Sequence, residues 1–145
     1  LKVLHQELGL GSRALFVGPL YGSDRLAALV DADLLVLPSQ NENFGNVVAE
    51  AIAAGVPVIV TQTCGVAQYV HHRAGLVIPV EQTALREAMV RLLTDQLLYQ
   101  KFQDGCVALA QELSWDEPVS RLEILYKALL PMTNPANGGY PRRLN

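Results

Sequence analysis

One stretch of the sequence gathers residues able to bind a charged, hydroxyl-rich ligand: Pro38, Ser39, Gln40, Asn41, Glu42, Asn43, Phe44, Gly45, Asn46, Val47, Val48, Ala49, Glu50, Ala51. An apolar run ends at Leu37, a polar loop follows, and a helix is expected to begin near Gly45. The order strand, loop, helix aims the unpaired amides and positive end of a helix at the carboxyl edge of a sheet, where phosphate is the natural guest. Gly45 has no side chain to keep a ligand from the backbone. Glu42 in the loop and Glu50 about one turn into the helix can accept from sugar or ribose hydroxyls. The residues alone leave a second reading open, in which Glu42 is a solvated loop residue, Glu50 a helix-surface charge and Phe44 a core aromatic.

Other constellations fare worse. Gly9, Gly11 and Ala14 spell a loose G-x-G-x-x-A, but they follow a helical pattern and precede a strand, the reverse of a dinucleotide-binding turn. Asp31 and Asp33 spell D-x-D; because they precede their apolar run instead of ending it, they read as a helix-to-strand turn and not as a metal and diphosphate site. His71 and His72, being adjacent, are expected to point apart in an exposed polar loop with Arg73 and to hold no metal. No G-x-S-x-G, H-E-x-x-H or Walker sequence occurs, so Ser39 has no partner for nucleophilic work.

The elements that must position the site follow from periodicity. Four short apolar runs, Ala14 to Val17, Leu34 to Leu37, Val56 to Thr61 and Leu76 to Pro79, alternate with helical patterns. Their uninterrupted apolar character is that of strands buried on both faces of a parallel sheet, which predicts an α/β, Rossmann-like parallel sheet with flanking helices. A helix from Ser23 to Val30, N-capped by Ser23 with Asp24 in its first turn, and a second from Gly45 to Ala54, ended by Gly55, complete the pattern. Beyond Pro79 the chain turns helical: Leu85, Met89 and Leu92 share a face, Glu87 and Arg91 pair along another, and Leu98, Phe102, Cys106 and Leu109 continue the stripe. Ser114 to Glu117 reads as a capping box opening a last helix whose apolar positions are Val119, Leu122, Leu125 and Leu129, with Pro118 tolerated in its first turn. The Pro, Asn and Gly content after Pro131 predicts a frayed tail over 131–145.

Composition narrows the functional classes. The 145 residues suit one domain of globular composition and exclude a two-domain enzyme within this chain. A net charge of −3 has the wrong sign for a phosphate-backbone binder, so nucleic acid is not an expected partner. Cys64 and Cys106 match neither a disulfide framework nor a zinc spacing and read as buried thiols of a reducing, cytoplasmic compartment. No apolar run has the length to span a bilayer. The amphipathic start (Leu1, Leu4, Leu8), without Met or a signal-peptide profile, is expected of a piece of a longer protein.

With these residues in view, the run from Pro38 through Val60 resembles the E-x7-E signature of retaining GT-B glycosyltransferases of family 4, the group 1 transferases, with Glu42 and Glu50 as its two glutamates. The resemblance extends to Phe16-Val17-Gly18, to Ala32-Asp33, to Gly75 through Pro79 and to Leu113-Ser114-Trp115, covering nearly everything from Leu8 to Leu130. It implies that residues 1–130 form part of the C-terminal, donor-binding domain of a two-domain hexosyltransferase that moves a sugar from a nucleotide-diphosphate sugar to an acceptor with retention of configuration. By resemblance Glu42 is the catalytic-site carboxylate on the donor sugar. The Phe44, Gly45 and Asn46 backbone meets sugar or phosphate, Val47 lines the nucleoside pocket, Glu50 binds the ribose hydroxyls and Leu20 lies near the base. The helix dipole stabilises the departing diphosphate, so neither metal nor other cofactor is implied.

The chain departs from the family in reading Cys64-Gly65-Val66-Ala67-Gln68 where a Gly-Gly-x-x-Glu run is usual. It also lacks the upstream basic phosphate clamp and the acceptor domain, so by itself it is expected to be inactive. In the full parent, peripheral attachment to the inner membrane would suit the family. Two rival functions are a noncatalytic nucleotide- or sugar-binding module of the same fold and a sugar-nucleotide epimerase of related shape, which needs an acid and a base that only His71 and His72 could supply.

Overall fold

The computed structural model describes residues 1–130, so the expected frayed tail lies outside the described residues. They fall into two units, 1–110 and a second beginning at Gln111.

The first unit is built on three parallel strands, β1 (Leu35–Leu37), β2 (Val58–Thr61) and β3 (Gly75–Ile78), in the order β1-β2-β3. Leu35 pairs with Val58, Val58 with Gly75 and Thr61 with Ile78. Ahead of the sheet come α1 (Lys2–Glu7), a single 3-10 turn at Gly11–Arg13 and α2 (Gly22–Val30). The crossovers are α3 (Asn46–Ala53) from β1 to β2 and the short α4 (Ala67–Val70) from β2 to β3, followed by α5 (Gln82–Thr94) and α6 (Gln96–Glu112). This is the expected Rossmann-like α/β arrangement.

Burial is concentrated on the central strand. All four residues of β2 are buried, as befits a strand with a neighbour on each edge and helices on both faces. Ile59 joins Ile78, Ala88, Leu92 and Phe102 in one cluster, with Val36, Leu76, Leu85 and Leu98 packed against it. Successive strand residues face opposite ways, and Val58 and Val60, on the other face of β2, are equally inaccessible, as are Val48, Ala51 and Ile52 of α3 and Val70 of α4. The short joint between α5 and α6 is set by Asp95, whose carboxylate accepts from the Leu98 amide at 3.0 Å and so caps α6.

Several expectations need correction. Ala14 to Val17 is not a strand: Leu15, Phe16 and Val17 are more than half exposed and join no ladder. A strand exists only by pairing, and β1, the nearest edge in sequence, pairs with β2 alone among the described residues. Helix α2 starts at Gly22 with Tyr21 as N-cap and no capping side chain, which places Ser23 inside the helix. On α5 the buried positions are Ala88 and Leu92, whereas Met89 is 37% exposed. The rings of His71 and His72 do not point apart; their centroids lie 3.9 Å from one another, because His72 adopts a left-handed backbone (φ 57°) that turns its side chain back.

Where expectation and structure agree, the local chemistry explains why. Gly55 (φ 79°) ends α3: its amide donates to Ile52 O and that of Val56 to Ala51 O, a Schellman closure. Cys64 and Cys106 are free and buried, and burial pushes the Cys106 thiol up to about 11.

The second unit contains α7 (Asp116–Leu129), which has no buried residue. Its expected capping box does not form: Trp115, not Ser114, is the N-cap, and its side chain makes no capping bond. Ser114 Oγ accepts from the Asp116 amide at 3.2 Å, while Glu117 turns forward to pair with Arg121.

Two outcomes test this core. Phe102→Ala should lower stability by about 3–5 kcal/mol in urea unfolding, through lost burial and the cavity it leaves. A thiol reagent at pH 8 should leave Cys64 and Cys106 unlabelled in the native protein and label both once denaturant unfolds it, since thiolate and access are both needed for reaction.

Candidate functional site

Beyond the last paired residue of β1 the chain continues as the loop Pro38 to Gly45, and this loop stays paired with the segment following β2. Glu42 forms a parallel bridge with Cys64. The Glu42 amide donates to Thr63 O at 3.4 Å, the Gly65 amide to Glu42 O at 3.0 Å and the Val66 amide to Phe44 O at 3.0 Å. At the loop's entrance the Ser39 carbonyl accepts from two hydroxyls, Thr61 Oγ1 and Thr63 Oγ1, the latter at 2.7 Å. The loop is therefore an extension of the sheet, held by backbone bonds.

Gly65 makes that approach possible. A Cβ there would lie 1.9 Å from Asn43 O, far inside contact distance. This resolves the part played by the divergent Cys64 to Gln68 run. Gly65 supplies the space, Cys64 and Val66 are buried beneath the loop, Gln68 Nε2 donates to Gly65 O at 3.3 Å, and Ala67 opens α4.

Gly45 then turns the chain into α3. It is the N-cap, buried, with φ 95° and ψ 63°, a left-handed conformation that side chains other than glycine's rarely take. No side chain caps α3; the Val48 amide donates back to Gly45 O at 2.9 Å, and the amides of Asn46 and Val47 belong to the set that any helix start leaves without an intrahelical partner. Asn46 is exposed, Val47 half-buried, and Phe44 packs edge-on against Tyr69 with ring centroids 6.3 Å apart.

The two glutamates bracket this helix start in sequence. Glu42, half-buried, sits three positions before the N-cap, and Glu50, half-buried, lies in the second turn. Glu50 Oε1 is 3.3 Å from an Arg25 guanidinium nitrogen on α2. Leu20, half-buried, immediately precedes the N-cap of α2, so the helix that bears Arg25 also begins beside Leu20. Arg25 carries no motif and is distant in sequence from Glu50; only the packing of α2 on α3 brings them together. The supporting role of Thr61 and Thr63 is likewise invisible to spacing.

The remaining candidates are elsewhere. Asp31 is the C-cap of α2, and Asp33, just before β1, accepts the Tyr99 hydroxyl on its backbone oxygen at 3.0 Å, as a helix-to-strand turn requires. Among the described residues no group of three or more His, Cys, Asp or Glu could hold a metal ion. A hollow of about 200 Å³ at the carboxyl ends of the strands is lined by Pro38, Thr61 and Ile78, by Pro79 to Glu81, and by Gln82 and Leu85 of α5, and includes neither Glu42 nor Glu50. No helix of the described residues is long and apolar enough to cross a membrane.

This geometry can be set beside known proteins. Residues 1–105 match the family model described as glycosyl transferases group 1. The chain belongs to the group 1 glycosyltransferases. Among curated relatives, the D-inositol 3-phosphate glycosyltransferase of Corynebacterium efficiens is 32% identical over 139 residues, covering 94% of this chain and 32% of that protein. Its counterpart in Salinispora arenicola is 34% identical over 125 residues, 85% of this chain and 28% of that protein. The chain thus spans about a third of the length of these relatives. Among solved structures, a sucrose-phosphate synthase from Thermosynechococcus elongatus superposes with TM-score 0.78 at 32% identity, over 88% of this chain and 33% of that one. WaaG, a glycosyltransferase involved in lipopolysaccharide biosynthesis, superposes with TM-score 0.73 at 31% identity, over 85% and 34%. The expected group 1, GT-B assignment is thereby shown.

The site's dependence on Gly65 is testable without any substrate. Gly65→Ala should force Asn43 away, lower stability by about 1–3 kcal/mol, and speed amide exchange at positions 65 and 66 while leaving Ile59 and Val60 of β2 protected. Unchanged exchange at 65 and 66 would show that the loop does not rely on this approach.

Proposed function

We propose that the chain is the donor-binding part of a retaining glycosyltransferase that uses a nucleotide-diphosphate sugar. The observation that carries this reading is the arrangement at Gly45: an uncapped helix start, fixed by backbone pairing to Thr63–Val66, with a carboxylate before it and another in its second turn. A diphosphate would accept from the first amides of α3, Glu42 would take hydroxyls of the donor sugar, and Glu50 would take the ribose hydroxyls. Val47 would line the nucleoside pocket and Leu20 would lie near the base. The solved Anabaena Alr3699/HepE, of the same fold at 24% identity, was crystallised with UDP and with UDP and glucose, which supports a nucleoside-diphosphate site on this fold.

In retaining transfer the acceptor attacks on the face from which the diphosphate departs, so the main work is stabilising the leaving group. The α3 N-terminus can do this with amides and dipole, without a metal and without a side-chain base. An acceptor domain and a basic phosphate clamp would come from the remainder of a longer parent, cytoplasmic and peripheral to the inner membrane.

Three measurements test this. The 145-residue chain alone should form no glycoside from sugar nucleotides and glycan or glycolipid acceptors, because catalysis needs both partners held together. In the parent, activity should survive EDTA and Asp31→Ala; loss on either treatment, restored by Mn²⁺ or Mg²⁺, would reject metal independence. Also in the parent, Glu50→Gln should raise KM, as loss of contacts made equally in ground and transition states does, and Glu42→Gln should lower kcat, because the sugar ring gains positive charge as the diphosphate leaves. Each effect should be about 10- to 150-fold, the worth of a charge-assisted hydrogen bond. Wild-type constants in both variants, with unchanged melting, would defeat the site.

A further inference from the structure

Arg25 is the fourth residue of α2 (Gly22–Val30). Leu29 is the one buried residue of α2, and Arg25, four positions earlier, lies on the same face one turn away. That face meets α3, where the Arg25 guanidinium reaches Glu50 Oε1 at 3.3 Å. The two side chains are 49% and 30% exposed. An ion pair so open to water contributes little to folding, but it fixes which way a carboxylate points. With Oε1 engaged by Arg25, Oε2 is the oxygen left to accept from a ligand.

We infer that Arg25 is a positioning residue for nucleoside recognition: it orients Glu50 so that one carboxylate oxygen faces the ribose hydroxyls. This rests on the reading of Glu50 given under Proposed function. Arg25 touches no reacting atom and acts through Glu50. One guanidinium nitrogen meets one carboxylate oxygen, and the planar, delocalised guanidinium holds that contact with less loss of freedom than a lysine ammonium on its flexible stem would. Its loss would leave Glu50 free among rotamers, of which only some present an oxygen to the ribose, so apparent donor affinity falls while the chemical step is untouched.

The experiment is a kinetic cycle in the full-length parent: wild type, Arg25→Ala, Arg25→Lys, Glu50→Gln and the Arg25→Ala/Glu50→Gln double variant, with the sugar nucleotide varied and melting recorded. Arg25→Ala should raise KM about two- to fivefold with kcat unchanged, the size expected of a half-exposed pair. Arg25→Lys should recover part of the loss. In the Glu50→Gln background Arg25→Ala should add nothing, because the residue it acts through has been neutralised. A full Arg25→Ala effect in that background would show that Arg25 acts independently of Glu50 and overturn the inference, as would a wild-type KM for Arg25→Ala when Glu50→Gln raises it. A wild-type KM for Glu50→Gln itself would instead defeat the ribose reading on which the inference stands. A fall in kcat equal to the KM effect, accompanied by lowered melting, would mark Arg25 as structural and also overturn it.

Discussion

The approach of two backbones at Gly65 governs the site. Three backbone hydrogen bonds join the loop after β1 to the loop after β2, and they are possible only because position 65 has no Cβ to meet Asn43 O. Those bonds set where Glu42 stands and where Phe44 ends, which fixes where Gly45 must reverse the chain into α3. The direction of α3, and so the aim of its first amides and the height of Glu50, follow from that turn. Each backbone hydrogen bond is worth only about 0.5–1.5 kcal/mol net. Their significance is geometric, since they carry the rigidity of a buried parallel sheet into a loop that would otherwise be mobile.

Much of this was legible in the sequence where the determinants are local. The apolar run ending in Thr61 is β2, since a strand buried on both faces has no polar alternation to hide it. Gly45 and Gly55 bound α3 because each occupies a left-handed position that sequence pattern marks by residue type. The run from Pro38 to Val60 carried the family with it. What stayed hidden depends on partners remote in sequence. Ala14 to Val17 has strand composition, yet composition states only that a segment can pair, and no described strand pairs with it. His72 gives only a weak sign of its positive φ, since histidine takes that conformation more often than most side chains but far less often than glycine. The Cys64 to Gln68 run reads as a loss of family pattern, whereas the structure keeps the one glycine that contact demands. Arg25 was unreadable because one salt bridge across helices far apart in the chain leaves no spacing to detect.

The electrostatics of the proposed site also constrain what it could bind. The chain carries a net charge of −3, and the helix start that would receive a diphosphate stands between two carboxylates in sequence. A helix N-terminus contributes about 0.3–1 kcal/mol toward an anion, and up to about 2 in sheltered geometries. That is too little to hold a bare anion firmly against neighbouring negative charge. A sugar nucleotide presents the same phosphates flanked by hydroxyls, and hydroxyls are donors that carboxylates accept strongly. In the proposed reading the glutamates therefore select as well as bind: they oppose inorganic phosphate and favour a phosphate bearing sugar on one side and ribose on the other. In the same reading Arg25, by engaging one Glu50 oxygen, would lower the local negative charge and leave the other oxygen to face a neutral hydroxyl at less cost. Between Pro38 and Ala53 the sequence has no Lys or Arg, so in the proposed reading the charge that balances the diphosphate would come from a basic group outside this loop and helix.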